Sequence, residues 1–170
     1  MGLFGESEVT RRIHDRVPTA VAGRLTAQEA LHAVLPAVER ISRRYHLGGV
    51  TSGEDIGADG RSSRWELLFA FPTRRATGVF GVDPCDVEKD ETALCVTSDV
   101  SPGVPALDQP LLLEFKDSPA AVAELAKAGV DWVAGSTRMT LASRRAANGT
   151  AVWFVEMFGK EYTTPFTASP

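Results

Sequence analysis

The chain is poor in the residue types from which most recognisable active sites are built. Its 170 residues include two cysteines, three histidines and two tyrosines. Cys85 and Cys95 stand ten apart around an acidic run, Asp86-Val87-Glu88-Lys89-Asp90-Glu91. Two cysteines do not make a disulfide framework, and without clustered Cys or His there is no zinc signature, so two reduced thiols are expected. The acidic run lacks the glycine and ligand order of a calcium loop and reads as a solvated turn. His14, His32 and His46 have no carboxylate or serine partner at a recognisable spacing, so each reads as structural. Positive charge is not in excess: 18 basic against 22 acidic residues leave a net charge of −4, which argues against general binding to a nucleic-acid backbone. No apolar run approaches the ~20 residues that span a bilayer. No basic segment followed by an apolar stretch opens the chain. A soluble, cytoplasmic protein is expected, with no metal and no cofactor.

What is present is enough apolar sequence for a core, 44% of the residues, and a plan that occurs twice. Thr26-Ala27-Gln28-Glu29 is a capping box, and Ala30, Leu31, Val34, Leu35, Val38, Ile41 and Tyr45 follow at the spacing of one helical stripe. Pro36 interrupts that stripe and predicts a kink or a later helix start. Gly48-Gly49 are expected to end the helix, and Val50–Ile56 to form a strand. After Asp59-Gly60 come an alternating strand over Arg64–Phe71, a turn at Pro72–Arg75 and a strand over Ala76–Val82. Ala93–Thr97 adds a fourth strand.

The second half follows the same order. Leu111–Phe115 reads as a short strand, and Asp117-Ser118-Pro119 as a helix start with proline in its favoured first turn. Val122, Leu125, Ala126 and Val130 form that helix's stripe, with Gly129 at its end. Strands are expected over Thr137–Ser143, Ala151–Phe158 and Glu161–Thr167, the first two joined by a turn at Asn148-Gly149. Ser7–Arg16 reads as a short helix. The expected organisation is an N-terminal arm over 1–24, a first α+β repeat over 25–100, a linker over 101–110 and a second repeat over 111–170. The fold class is α+β: two helix-plus-antiparallel-strand repeats forming one curved sheet with the helices on one face.

The carrying residues of the repeat are Asp59-Gly60, Trp65-Glu66-Leu67 and Val79-Phe80-Gly81-Val82-Asp83. In the second half they are Asn148-Gly149, Trp153-Phe154-Val155 and Tyr162-Thr163-Thr164-Pro165-Phe166. Over about 115 residues this pattern resembles the PepSY-type repeat, a cystatin-like module. The resemblance implies a protein that binds or restrains a partner, and it transfers no catalytic residue.

Strand parity singles out one group of side chains. Glu66 and Glu156 point away from the tryptophan face, and Leu68, Phe154 and Phe158 share their parity. A carboxylate beside apolar groups on an open sheet face suits a small-molecule pocket, and burial there would raise its pKa toward general acid-base use. Two functions fit. One is a binding module that recognises a protein partner or small apolar ligand on a concave sheet face through Leu68, Phe154 and Phe158. The other is a cofactor-independent enzyme of cyclase or isomerase type with Glu66 or Glu156 as its acid-base residue. A homodimer is compatible with both, and neither nucleic acid nor membrane is expected as a partner. The arginine groups Arg11, Arg12, Arg16 and Arg40, Arg43, Arg44 read as solvated faces, the second complementing a helix C-terminus.

Overall fold

The structure is a computed structural model that describes residues 13–15, 23–84, 94–103, 110–133, 135–142, 152–157 and 159–167. It is a mixed α+β fold. The strands are β1 (Ile13–Asp15), β2 (His46–Ser52), β3 (Trp65–Phe71), β4 (Ala76–Pro84), β5 (Leu94–Pro102), β6 (Thr137–Ala142), β7 (Val152–Met157) and β8 (Lys160–Thr167). The helices are α1 (Ala27–Ile41) and α2 (Ser118–Lys127). All eight strands belong to one sheet in the order β1-β5-β4-β3-β2-β6-β7-β8, and every neighbouring pair is antiparallel.

Helix α1 starts where the capping box places it. The Thr26 hydroxyl accepts from the Glu29 backbone N–H at 3.2 Å, and the Glu29 carboxylate accepts from the Thr26 N–H at 3.2 Å. Ala27, Ala30, Leu31, Val34, Ala37 and Val38 form its buried stripe. Pro36 lies inside the helix without ending it. Both Pro36 and His32 are exposed, so the carbonyl that the proline leaves unbonded can be met by water.

The helix ends earlier than its apolar spacing suggests. Ile41 is its last residue, and the Ser42 N–H donates to the Val38 carbonyl at 3.3 Å. Tyr45 instead meets Phe69 edge-on, with ring centroids 5.7 Å apart. The two glycines expected to cap the helix lie within β2. Leu47 pairs with Phe69 and Gly49 with Leu68, leaving Gly48 as an extra residue on its strand, a β-bulge. The strand expected at Val50–Ile56 is therefore displaced toward the N-terminus, because the bulge absorbs the glycines into the ladder.

Three further expectations are corrected. Residues Ile13–Asp15, expected in a helix, pair with β5 as a strand, since the edge of that strand offers unmet backbone groups. Leu111–Phe115 is not a strand: Leu111 makes one isolated bridge to Leu47, and Phe115 turns into the core against Trp153. Ser101 and Pro102, placed in the linker, complete β5 opposite Thr77 and Ala76. Asn148-Gly149 lies outside the described residues.

One hydrophobic core joins both helices to the tryptophan side of the sheet. Trp65, Leu67, Phe69 and Phe71 of β3 enter it with Phe80 of β4, Met139 and Leu141 of β6, and Trp153 and Val155 of β7. The Phe69–Phe80 and Phe71–Phe80 rings pack edge to face at 5.5 and 6.3 Å. Gly78 makes room for them, since a Cβ there would stand 2.6 Å from Phe80 and 2.8 Å from Phe71. Each buried tryptophan ties the sheet to a helix start. Trp65 Nε1 donates to the Leu25 carbonyl at 2.9 Å, and Trp153 Nε1 to the Lys116 carbonyl at 2.8 Å. Leu25 and Lys116 are the residues immediately before the N-caps Thr26 and Asp117.

Cys95 is disulfide-bonded, so the expectation of two reduced thiols is corrected. The chain's only other cysteine, Cys85, lies outside the described residues. Cys95 lies near the start of β5, opposite Asp83 of β4. Spacing in sequence alone did not reveal that register.

Candidate functional site

Among the described residues, no helix covers the face of the sheet opposite the tryptophans. Successive side chains alternate across the pleat, so the register names what it carries. One row runs Thr97, Gly81, Glu66, Thr51, Thr140 and Phe154 across β5, β4, β3, β2, β6 and β7. A groove of about 780 Å³ opens along this face, lined by β2 to β5 and by Arg138 of β6. Its side chains of matching parity include Thr51, Arg64, Glu66, Val79, Asp83, Thr97, Asp99 and Arg138. Gly81 leaves the floor between Glu66 and Thr97 low: a Cβ there would lie 2.6 Å from the Thr97 hydroxyl.

The groove mixes apolar surface with charged side chains. Arg64 faces Asp83 at 3.7 Å and Arg138 faces Glu54 at 3.2 Å. Among the described residues, Glu66 and Asp99 make no ion pair, and both are exposed. They present two uncompensated carboxylates to anything entering the groove.

One end of the groove is a built polar loop. Asp55 accepts from the Ser62 hydroxyl at 2.5 Å, the Ser63 hydroxyl at 2.6 Å and the Ser63 N–H at 3.0 Å. Burial pushes its carboxyl up. The hydrogen bonds from Ser62 and Ser63, with the nearby Arg24 charge, outweigh that and hold it below its ordinary value. Arg24 binds the Arg61 carbonyl at 2.6 Å and the Asp59 carboxylate at 3.2 Å, and Arg61 binds Glu29 of the capping box at 2.7 Å. Trp132 Nε1 donates to the Ile56 carbonyl at 3.0 Å. The segment between β2 and β3 is thus fastened to the start of α1 and to the chain before β6.

The side chains singled out by parity are distributed as follows. Glu66 lines the groove. Glu156 is exposed and lines a neighbouring depression of about 280 Å³ with Glu54, Gly135, Ser136, Arg138 and Gly159. Glu54 and Arg138 line both, so their ion pair stands between the two glutamates. Leu68 and Phe154 are half-buried and belong to neither lining. Phe158 lies outside the described residues. Asp55, Asp99 and Arg138 carry no motif. Only the strand register, which sets Gly81 between Glu66 and Thr97 and Arg138 opposite Glu156, could have pointed to them.

Among the described residues no group of His, Cys, Asp and Glu is arranged to hold a metal, and no helix is long and apolar enough to cross a membrane. Comparison with models of known families, with curated proteins and with solved structures gave no match for the chain.

Proposed function

We propose that the chain is a binding module made of two related helix-and-strand units, and that its open sheet face receives a basic segment of a protein partner. The observation that carries the reading is the groove beneath Glu66 and Asp99, two carboxylates without an ion pair on a sheet face that no described helix covers. A small apolar ligand fits less well, because Glu54, Asp55, Glu66, Asp83 and Asp99 set negative charge along the lining. Catalysis by Glu66 or Glu156 is likewise disfavoured. Both are exposed to solvent, so a reaction at either would not be shielded from water.

The two-unit plan rests on the sheet order. About the antiparallel pair Thr51–Thr140, strands β2, β3 and β4 on one side answer to β6, β7 and β8 on the other. Trp65 pairs with Ser52, the residue after Thr51, and Trp153 with Leu141, the residue after Thr140. Each indole then bonds the carbonyl that precedes its own unit's helix. This agrees with a PepSY-like or cystatin-like repeat, and recognition of a partner is what that resemblance would bring.

Selecting a random displayed peptide library against the folded protein tests the reading. Selected peptides should be rich in Lys and Arg, and their binding should shift the amide resonances of Thr51, Gly81 and Thr97. Affinity for the double variant Glu66→Lys, Asp99→Lys should fall by about tenfold or more, since like charges then face each other. Peptides with no charge preference that bind this variant as well as the original would overturn it.

A further inference from the structure

Five arginines meet at the pole of the molecule where α1 ends. Arg40, Arg43 and Arg44 occupy the last turn of that helix and the residues after it. Arg74 and Arg75 belong to a 3₁₀ turn, Pro72–Arg74, and its cap, some thirty positions further on in sequence. The fold brings them together in two ways. His46, at the start of β2, pairs with Ala70 near the end of β3, so helix exit and turn share one end of the sheet. The Ser42 hydroxyl then lies 3.4 Å from the Thr73 hydroxyl, joining the two segments directly.

All five arginines are exposed, and among the described residues none makes an ion pair. Arg75 is the one described non-glycine residue with positive φ, at 47°, a conformation that a tight 3₁₀ exit imposes. A pole of five unpaired guanidinium groups on a chain of net charge −4 is a separation of charge, not an average basicity.

We infer that this pole docks on an anionic phospholipid surface. Guanidinium groups match phosphate geometry bidentately. The shape of the patch selects among phosphate-bearing partners. It is a helix end and a turn, with no helix or strand laid out to enter a nucleic-acid groove and no exposed aromatic residue on either segment for base stacking. A long polyanion running past the pole would also meet the carboxylates of the open face, Glu66 and Asp99 among them. A bilayer touched end-on meets the helix end and the turn, where the five arginines outnumber the one exposed carboxylate beside them, Glu39. Basic residues at such a surface act additively and fade with salt over a Debye length. The expectation of no membrane partner came from the lack of a bilayer-spanning apolar run and from reading Arg40, Arg43 and Arg44 as a solvated face.

Sedimentation with vesicles decides the matter. The protein should pellet with phosphatidylcholine vesicles containing phosphatidylglycerol, not with phosphatidylcholine alone, and should be released at about 0.5 M salt. The double variant Arg74→Gln, Arg75→Asn should partition roughly tenfold or more weaker, since each basic residue contributes about fivefold at such a surface. Asparagine tolerates the left-handed backbone at 75, so folding should survive. Arg40→Gln with Arg44→Gln should act alike. Lys127→Glu, at the end of α2, makes the same change of two charges away from the pole and should leave partitioning unchanged. Equal loss in the Lys127 variant, equal binding to neutral vesicles, or tighter binding to a duplex oligonucleotide at the same salt would each overturn the inference.

Discussion

Asp117 accepts the backbone N–H of Gln28 at 3.0 Å while it also caps its own helix through the Ser118 N–H at 2.8 Å. One carboxylate therefore serves the open N-termini of α1 and α2, whose dipoles both favour negative charge there. Ser118 completes the junction: its hydroxyl accepts from the Ala27 N–H at 3.0 Å and donates to the Gly60 carbonyl at 2.6 Å. Replacing Asp117 by Ala should strip two helix starts at once and cost about 2–3 kcal/mol, more than the ~1 kcal/mol typical of a single cap. Asp117→Asn, which keeps an acceptor, should cost less. Urea unfolding of the three proteins checks this, and a loss below about 0.5 kcal/mol for the alanine variant would mean the shared cap is not felt.

Gly60 and Gly129 offer a paired test of backbone space. Both have positive φ, 72° and 84°. A Cβ on Gly60 would stand 2.5 Å from the backbone of Pro119, at the start of α2, whereas one on Gly129 would meet nothing within 4 Å. Gly129→Ala should cost about 1 kcal/mol, for the left-handed backbone alone. Gly60→Ala should cost clearly more, because the loop must also move off the helix. Similar thermal midpoints for both variants would show that the loop yields freely.

The two tryptophans should respond as a pair. Phenylalanine at Trp65 or Trp153 keeps most of the apolar bulk and deletes the indole hydrogen bond to the carbonyl of Leu25 or Lys116. Each change should cost about 1–3 kcal/mol, and the two values should agree within roughly 1 kcal/mol. A large loss at one and none at the other would count against the two-unit plan.

Asp55 fixes the sign of one pH effect. Its carboxyl lies below its ordinary value in the folded chain, so it binds protons less readily there than when unfolded. Its contribution is therefore complete above the ordinary aspartate value of about 4, and is lost as pH falls through the lower folded value. Asp55→Asn should flatten the fall in stability below about pH 4 and leave the slope near neutral pH unchanged. Parallel acid-unfolding curves for the two proteins would refute that assignment.

The disulfide at Cys95 predicts that denatured, unreduced protein exposes no titratable thiol, and that reduction releases two. Two reactive thiols before reduction would return the chain to the reduced state first expected. An intact bridge would favour an oxidising compartment over the cytoplasm.

Signals that act over three or four residues were legible in the sequence. The Thr26 capping box and the Asp117-Ser118-Pro119 start set both helices within a residue, because a cap bonds amides of its own first turn. The alternation around Trp65 and Trp153 placed β3 and β7 and assigned their buried faces, because the pleat has a period of two. Glycine-rich Gly48-Gly49 misled for the opposite reason. Glycine permits both a helix cap and a bulge, and only pairing with β3 chose between them. Asp117 capping a helix 89 positions away, Gly81 leaving the groove floor open between Glu66 and Thr97, and five arginines gathered from two segments have no local signature. They exist only once distant strands take their register, a choice made by burial of the whole tryptophan face and not by any short stretch of chain.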